Sequence, residues 1–318
     1  MRIGLFSNPK SEGNRRGMAA LEAVLANHPE ILHRRFRPEE GFAPPLAAMA
    51  EAGVELLVVN SGDGTVHGVL TELLASRPFA DLPMVAILPR GTANMTAADC
   101  GLRGKDAATL ERLLEACRNG RPDAHLVTRH ILKVDYADDR VAPRGMFMGA
   151  AGIVDVIRHV TGKLHTRGIK GEWSHAAAIV GLLAGTALKG YEALGLRPHD
   201  VGIRVDGGER QDERLLIMIA TTLDRLVLKS RPFWATGGKP VRHTRIVHPP
   251  ERLIRSARRV LYGPDAPRSL PEDYRSGGAE RLELWLDAPF TIDGEFFTPS
   301  RDRPVVVTAD ETLRFVRL

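Results

Sequence analysis

The stretch Val54 to Leu70 reads VELLVVNSGDGTVHGVL. A nearly unbroken apolar run ends at a loop of small residues, Asn60-Ser61-Gly62-Asp63-Gly64-Thr65. Apolar residues then recur at Val66, Val69, Leu70, Leu73 and Leu74, the spacing of one helix face. A strand apolar on both faces and followed at once by a helix belongs in a parallel sheet covered on both sides. The same alternation runs through the first third of the chain. RIGLFSN, ILHRRF and MVAILP read as strands, and Met18–Ala26, Leu46–Ala52 and Ala107–Cys117 as helices. This predicts an α/β domain with a mostly parallel sheet over about residues 1–122.

Beyond that point the pattern changes. HLVTRHILKVDY, RGMFMGAAG, VGIRVDG, RLLIMIAT, RLELWLD, FTIDGEFF and PVVVTAD are short strand candidates, many alternating apolar with polar residues. One helical stretch, about Trp173 to Leu188, interrupts them. A second, β-rich domain over about 123–305 follows, with half-buried antiparallel strands.

The 318 residues, 43% hydrophobic and 26% charged, can build two globular cores. The N-terminal apolar run is too short for a secretory signal, and the longest weakly polar stretch, Ala176–Leu188, is shorter than the roughly 20 residues of a membrane span. Cys100 and Cys117 form no metal or redox spacing and read as reduced thiols of a cytoplasmic protein. The net charge is only +5, but basic residues crowd the segment from Arg225 to Arg259, whose one acid after Arg225 is Glu251. Such a stripe suits an anionic partner.

Three loops could carry chemistry: SNPKSEGNRRG (Ser7–Gly17), NSGDGT and PRGTAN (Pro89–Asn94). Each follows a strand candidate of the parallel sheet, where ligands bind at the carboxyl ends of the strands. Glycine lets backbone N–H groups approach phosphate oxygens, and a following helix adds its dipole. A lone Gly-Asp-Gly is more often just a turn. The patterns G-x-x-x-x-G-K-[ST] and G-x-G-x-x-G are absent, which disfavours Walker ATPases and Rossmann dehydrogenases.

Taken together the motifs are more specific. SGDGTVHGVLTEL resembles the Gly-Gly-Asp-Gly-Thr signature of the diacylglycerol kinase catalytic-domain family, shared with sphingosine and ceramide kinases. ILPRGTANMTAADCGL is similar to its Pro-x-Gly-Thr-x-Asn motif, SNPKSEG to its opening segment, and FTIDGEFF (Phe290–Phe297) to its late Asp-Gly-Glu. The resemblance implies a lipid kinase using ATP and Mg²⁺. Its N-terminal domain would be similar to those of phosphofructokinases and NAD kinases, its second domain a β-sandwich, and about residues 306–318 would return to the first. ATP would lie in the cleft between them. Carried over, Asn8, Pro9, Lys10, Ser61, Gly62, Gly64, Thr65, Val66, His67, Gly91 and Thr92 would hold the nucleotide, and Asp63, Asp293 and Glu295 would be catalytic. Asp293 and Glu295 stand two apart on a strand-like segment, which puts them on one face. One would serve as base, the other as metal partner or orienter.

The departures bear on the substrate. Ser61 stands where the family usually has glycine, His67 where it often has asparagine, and Met95 where it has an acid. The acidic Asp-x-x-Asp-Gly segment of many bacterial members is replaced here by the basic GGKPVRHTRIVHPPERLIRSARR, which leaves a structural metal in doubt. The acceptor expected is diacylglycerol, or ceramide or a sphingoid base. Arg252–Leu261 reads as a basic amphipathic helix with Leu253, Ile254, Ala257, Val260 and Leu261 on one face. It could rest on an anionic membrane, making segment 225–259 a peripheral membrane contact, with no nucleic-acid partner. Self-association as a homodimer is compatible with this reading. The alternatives are an NAD kinase, disfavoured because no Asn-Glu dipeptide occurs anywhere in the chain, and a non-catalytic nucleotide- or lipid-binding protein of the same fold.

Overall fold

The structure is a computed structural model describing residues 1–91, 94–104, 107–120, 125–155, 196–263 and 269–318. The chain divides into two compact units, Met1–Arg129 with Thr312–Leu318, and His130–Glu311. The helix expected over Trp173–Leu188 lies outside the described residues, as does Thr92.

The first unit is α/β. Its elements are β1 (Ile3–Ser7), α1 (Glu12–Ala26), β2 (Leu32–Arg35), α2 (Ala43–Glu51), β3 (Leu56–Ser61), α3 (Asp63–Ala75), β4 (Met84–Pro89), α4 (Met95–Cys100) and α5 (Ala107–Arg118). The strands lie in the order β2-β1-β3-β4, all parallel. The C-terminal strand adds a parallel pairing of Phe315 with Val85 on β4. Every residue of β3 and β4 is buried, as their apolar runs require. Leu56 and Val58 pack with Leu21 and Val24 of α1 and Leu110 and Leu113 of α5, while Leu57 and Val59 are equally buried on the opposite face.

The second unit is β-rich and antiparallel. It contains β5 (Leu126–Asp135) from His130 onward, β6 (Arg144–Gly145), β7 (Phe147–Ala151), β8 (His199–Val205), β9 (Gln211–Thr221), β10 (Val241–Val247), α6 (Leu253–Tyr262), β11 (Tyr274–Ala279), β12 (Arg281–Leu286), β13 (Phe290–Ile292), β14 (Glu295–Phe297) and the start of β15 (Val305–Val316). β9 is central: β10 pairs along one side of it, and β8 and β7 share the other. Alternate residues such as Val201, Ile203, Leu282, Leu284, Val305 and Val307 fill one core.

Two strands escape the sequence pattern. β10, VRHTRIV, reads as part of the basic stripe, yet Arg245 is buried and ion-paired with Glu213 at 2.9 Å. Arg242 pairs with Asp224 at 2.8 Å and Lys239 with Asp206 at 2.5 Å. Much of the stripe is therefore neutralised by acids from elsewhere in the chain. β11, YRSGGA, has little apolar signal, and its Gly278 is needed because a Cβ there would overlap the Thr236 carbonyl. The apolar stripe of α6 is also not free. Val260 and Leu253 pack against Leu216, Trp234, Ile246 and Tyr274, so this face of the helix is spent on the core.

Candidate active site

Both glycine-rich loops are shorter than their sequences suggest, because the helices start early. α1 begins at Glu12, so Gly13, Arg15, Arg16 and Gly17 are helical rather than loop residues. Gly13 and Gly17, one turn apart, form a shallow face on which Arg90 lies. A Cβ at either would come within 3.0 Å of Arg90. α3 begins at Asp63, leaving Gly62 as the whole turn between β3 and the helix. The first N–H groups of such a helix have no acceptor within it, and they carry the positive end of its dipole.

A buried polar network ties the three loops together. Asn60, at the end of β3, donates to Asn14 Oδ1 at 3.0 Å and accepts from Arg90 Nε at 3.0 Å. Asn14 in turn donates to the Asn60 and Asn8 carbonyls, each at 2.8 Å. Asn8 donates to the Thr65 hydroxyl at 2.8 Å and accepts from the Lys10 N–H at 2.9 Å. Asn14, Asn60 and Arg90 were not singled out from the sequence. An isolated Asn or Arg shows no periodicity, and only the fold brings these three together.

Gly62 and Gly91 meet backbone to backbone. A Cβ on Gly62 would lie 2.8 Å from Gly91 Cα, and one on Gly91 would lie 2.6 Å from Gly62 Cα. Neither has a positive φ, so contact rather than conformation demands glycine. The Gly91 N–H is committed to Asn94 Oδ1 at 2.7 Å. Asp63 bridges the same two loops. Its carboxylate accepts the N–H of Asn94 at 2.8 Å and of Met95 at 3.1 Å, where α4 starts. Burial raises its pKa, against the pull of these bonds.

The remaining expected nucleotide contacts divide. Val66 has its side chain in the core, and its N–H bonds Gly62 O at 3.1 Å. His67 is buried in α3. Lys10 is exposed, while Pro9 and Gly64 are half-buried at the loop heads. The Ser61 hydroxyl is buried with no hydrogen-bond partner among the described residues. Such an orphan group calls for an explanation, and a bound anion at the head of α3 would provide one. Beside β2 lies a cavity of about 530 Å³, lined by His33, Arg34, Arg35, Arg37 and Glu40 together with α2 residues. His33 Nε2 and the Ser7 hydroxyl are 2.6 Å apart. Burial, then Arg35, pushes the His33 pKa down, which favours a neutral ring.

In the second unit the Asp-Gly-Glu segment is a hairpin, not a continuous strand. Ile292 pairs with Glu295 across the two-residue turn Asp293-Gly294, with φ values of 48° and 95°. Asp-Gly is the preferred sequence for such a turn. Asp293 and Glu295 therefore do not share a strand face. Asp293 is turned inward, and its carboxylate accepts the N–H of Phe147 at 2.9 Å and of Met146 at 3.1 Å. Gly145 leaves room for it, since a Cβ there would come within 2.5 Å of Asp293 Oδ2. Glu295 is exposed. Phe290 and Phe297, stacked at 5.6 Å, and Tyr136 at their edge brace the hairpin. Among the described residues no group of three His, Cys, Asp or Glu side chains gathers to hold a metal ion.

Residues 2–124 match the diacylglycerol kinase catalytic domain. A protein named "Probable lipid kinase YegS-like" from Enterobacter sp. (strain 638) is 34% identical over 121 residues, spanning 38% of this chain and 38% of that protein. The match thus covers well under half the length of the relative. Among solved structures, a diacylglycerol kinase from Bacillus anthracis (strain Sterne) is similar at a TM-score of 0.60 and 15% identity, covering 99% of this chain and 96% of that chain. Yeast NADH kinase complexed with NADH is similar at a TM-score of 0.52 and 10% identity, covering 99% of this chain and 83% of that one. At these identities the structures speak for the fold alone. The three loops joined at Asn60, Gly62 and Gly91 all fall inside the stretch that, by sequence, matches the diacylglycerol kinase catalytic domain.

Proposed function

We propose that this chain is an ATP-dependent kinase that phosphorylates a hydroxyl of a membrane lipid. Diacylglycerol is the first acceptor to try, with ceramide or a sphingoid base next. The reading is carried by one coincidence. The residues matching the diacylglycerol kinase catalytic domain are those whose backbones converge at Gly62 and Gly91, beside a helix N-terminus and the orphan Ser61 hydroxyl. Phosphoryl transfer is mostly positioning and charge stabilisation, and this loop cluster is suited to both.

Within that reading, α3's first turn and Ser61 receive phosphate oxygens, and exposed Lys10 adds a positive charge. Gly62, Gly91 and the Asn14–Asn60–Arg90 network hold the loops in place. Asp63 is a candidate base, since burial raises its proton affinity while two N–H bonds fix its orientation. Asp293 serves as the anchor of its hairpin, which leaves Glu295 as the available carboxylate of that pair. Mg²⁺ would arrive with the nucleotide, because in such sites it takes one or two carboxylates plus phosphates and water. It would neutralise phosphate charge. The protein would work in the cytoplasm and visit membranes peripherally. No helix among the described residues is long and apolar enough to cross a membrane.

A labelled-ATP assay against diacylglycerol, monoacylglycerol, ceramide, a sphingoid base and NAD tests this. Lipid phosphorylation that falls about 10²- to 10⁴-fold in Asp63→Asn or Glu295→Gln, with folding intact, supports it. Phosphorylation of NAD alone, or no transfer to any acceptor, overturns it.

A further inference from the structure

The second unit carries an exposed apolar pair in a basic setting. The short turn Val227–Lys229 places Leu228 and Lys229 at positive φ, 57° each. Leucine rarely adopts that backbone region, and surrounding bonds must hold it there. Ser230 closes the turn, its N–H and hydroxyl reaching the Val227 carbonyl at 3.1 and 2.8 Å, and Leu226 N–H bonds Ser230 O at 2.9 Å. The result is a leucine aimed at solvent, 41% exposed. Beside it stands Tyr262, 51% exposed, whose hydroxyl donates to the Leu228 carbonyl at 3.3 Å. The Arg231 N–H to Leu261 carbonyl bond, 2.8 Å, fastens the turn to the end of α6.

The charges lie on the same side. On α6, Leu253, Ser256 and Val260 point into the unit. Arg255 and Arg258, seven and four residues before Tyr262, share its outward face and are exposed. Arg225, two residues before the turn, and Lys229 within it are exposed as well. Of the acids nearby, Asp224 pairs with Arg242 and Glu251 with Arg252.

We propose that this surface, Leu228 and Tyr262 ringed by Arg225, Lys229, Arg255 and Arg258, docks the protein on an anionic lipid bilayer. This rests on the lipid-kinase reading for its purpose, and it reverses the role expected of α6. Val260 and Leu253 of that helix are spent on the core, so the helix meets the membrane with its basic face. Leu228 and Tyr262 supply the insertion. A tyrosine is at home at such an interface, having an apolar body and a polar tip. The arginines supply attraction to headgroups, which salt weakens.

Full-length protein and its variants are sedimented with phosphatidylcholine vesicles and with mixed phosphatidylglycerol–phosphatidylcholine vesicles, at low and high salt. Wild type should favour the anionic vesicles and lose affinity at high salt. Arg255→Gln with Arg258→Gln should weaken binding roughly 30-fold, at about 1 kcal/mol per charge. Leu228→Asn should weaken it roughly tenfold, and asparagine tolerates the left-handed backbone, so the fold survives. The same variants are assayed for phosphorylation of lipid in detergent micelles, where docking on a bilayer is not needed. Lost vesicle binding with retained micellar turnover supports the surface. Equal binding to both vesicle types, undiminished binding by the variants, or a preference for a nucleic-acid oligomer over anionic vesicles overturns it. If no lipid is phosphorylated even in micelles, the kinase reading fails, whatever the vesicles show.

Discussion

Asp293→Asn separates an anchoring carboxylate from a chemical one. The wild-type side chain faces two backbone N–H groups, those of Met146 and Phe147, on β7 and the residue before it. It also sits at φ 48°, the first position of the hairpin turn. Asparagine keeps that turn, because it tolerates left-handed backbone as well as aspartate does. It keeps one acceptor oxygen, which at the Oδ1 position still reaches the N–H of Phe147 at 2.9 Å and, less closely, that of Met146 at 3.2 Å. Its amide NH₂ replaces Oδ2, so the 3.1 Å bond from Met146 is lost, at a cost of about 0.5–1.5 kcal/mol. For a unit of this size that lowers the melting midpoint by roughly 1–6 °C. Asp293→Ala loses both acceptors and adds about 1–2 kcal/mol of left-handed strain, so it should be clearly less stable than the asparagine variant. The assay is thermal unfolding followed by near-ultraviolet circular dichroism, with lipid phosphorylation measured well below the midpoint. If Asp293 is only an anchor, turnover per folded molecule stays near wild type, while Glu295→Gln loses it. A wild-type midpoint for Asp293→Asn, or an alanine variant as stable as the asparagine one, would refute the hydrogen-bond accounting.

Gly91→Ala should cost about 1–3 kcal/mol through overpacking, since its Cβ would meet Gly62 Cα at 2.6 Å, and nucleotide binding measured by calorimetry should weaken with it. An alanine variant that melts and binds as wild type would show that the loops have slack. His243 is buried, and burial, then Arg245, lowers its pKa to about 4. A histidine depressed in the folded state adds stability that is present above its unfolded value of 6.5 and lost as pH falls toward 4. Denaturant titrations should therefore show the second unit losing about 3 kcal/mol over that window. Its loss should be smaller in His243→Gln, and equal slopes for the two proteins would discount the effect.

Much of the fold was legible because it rests on periodicity. The apolar runs of β3 and β4 and the helical spacing of Val66, Val69, Leu70, Leu73 and Leu74 report burial directly. β10 and β11 were not legible. In β10 the apolar signal is replaced by arginines whose counterions, Glu213 and Asp224, sit on other segments. In β11 it is replaced by glycines that only the nearness of Thr236 and His243 explains.

The candidate site divides the same way. The local sequence determined that loops end the strands of a parallel sheet and that helices follow, because each depends on a few neighbouring residues. Only the tertiary structure decided what those loops do to one another. It set Gly62 against Gly91, joined Asn14, Asn60 and Arg90, turned Asp293 inward while Glu295 stayed exposed, and buried the apolar side of α6 so that its arginines face out. Those outcomes depend on contacts between residues far apart in the chain, whose partners no short stretch of sequence can specify.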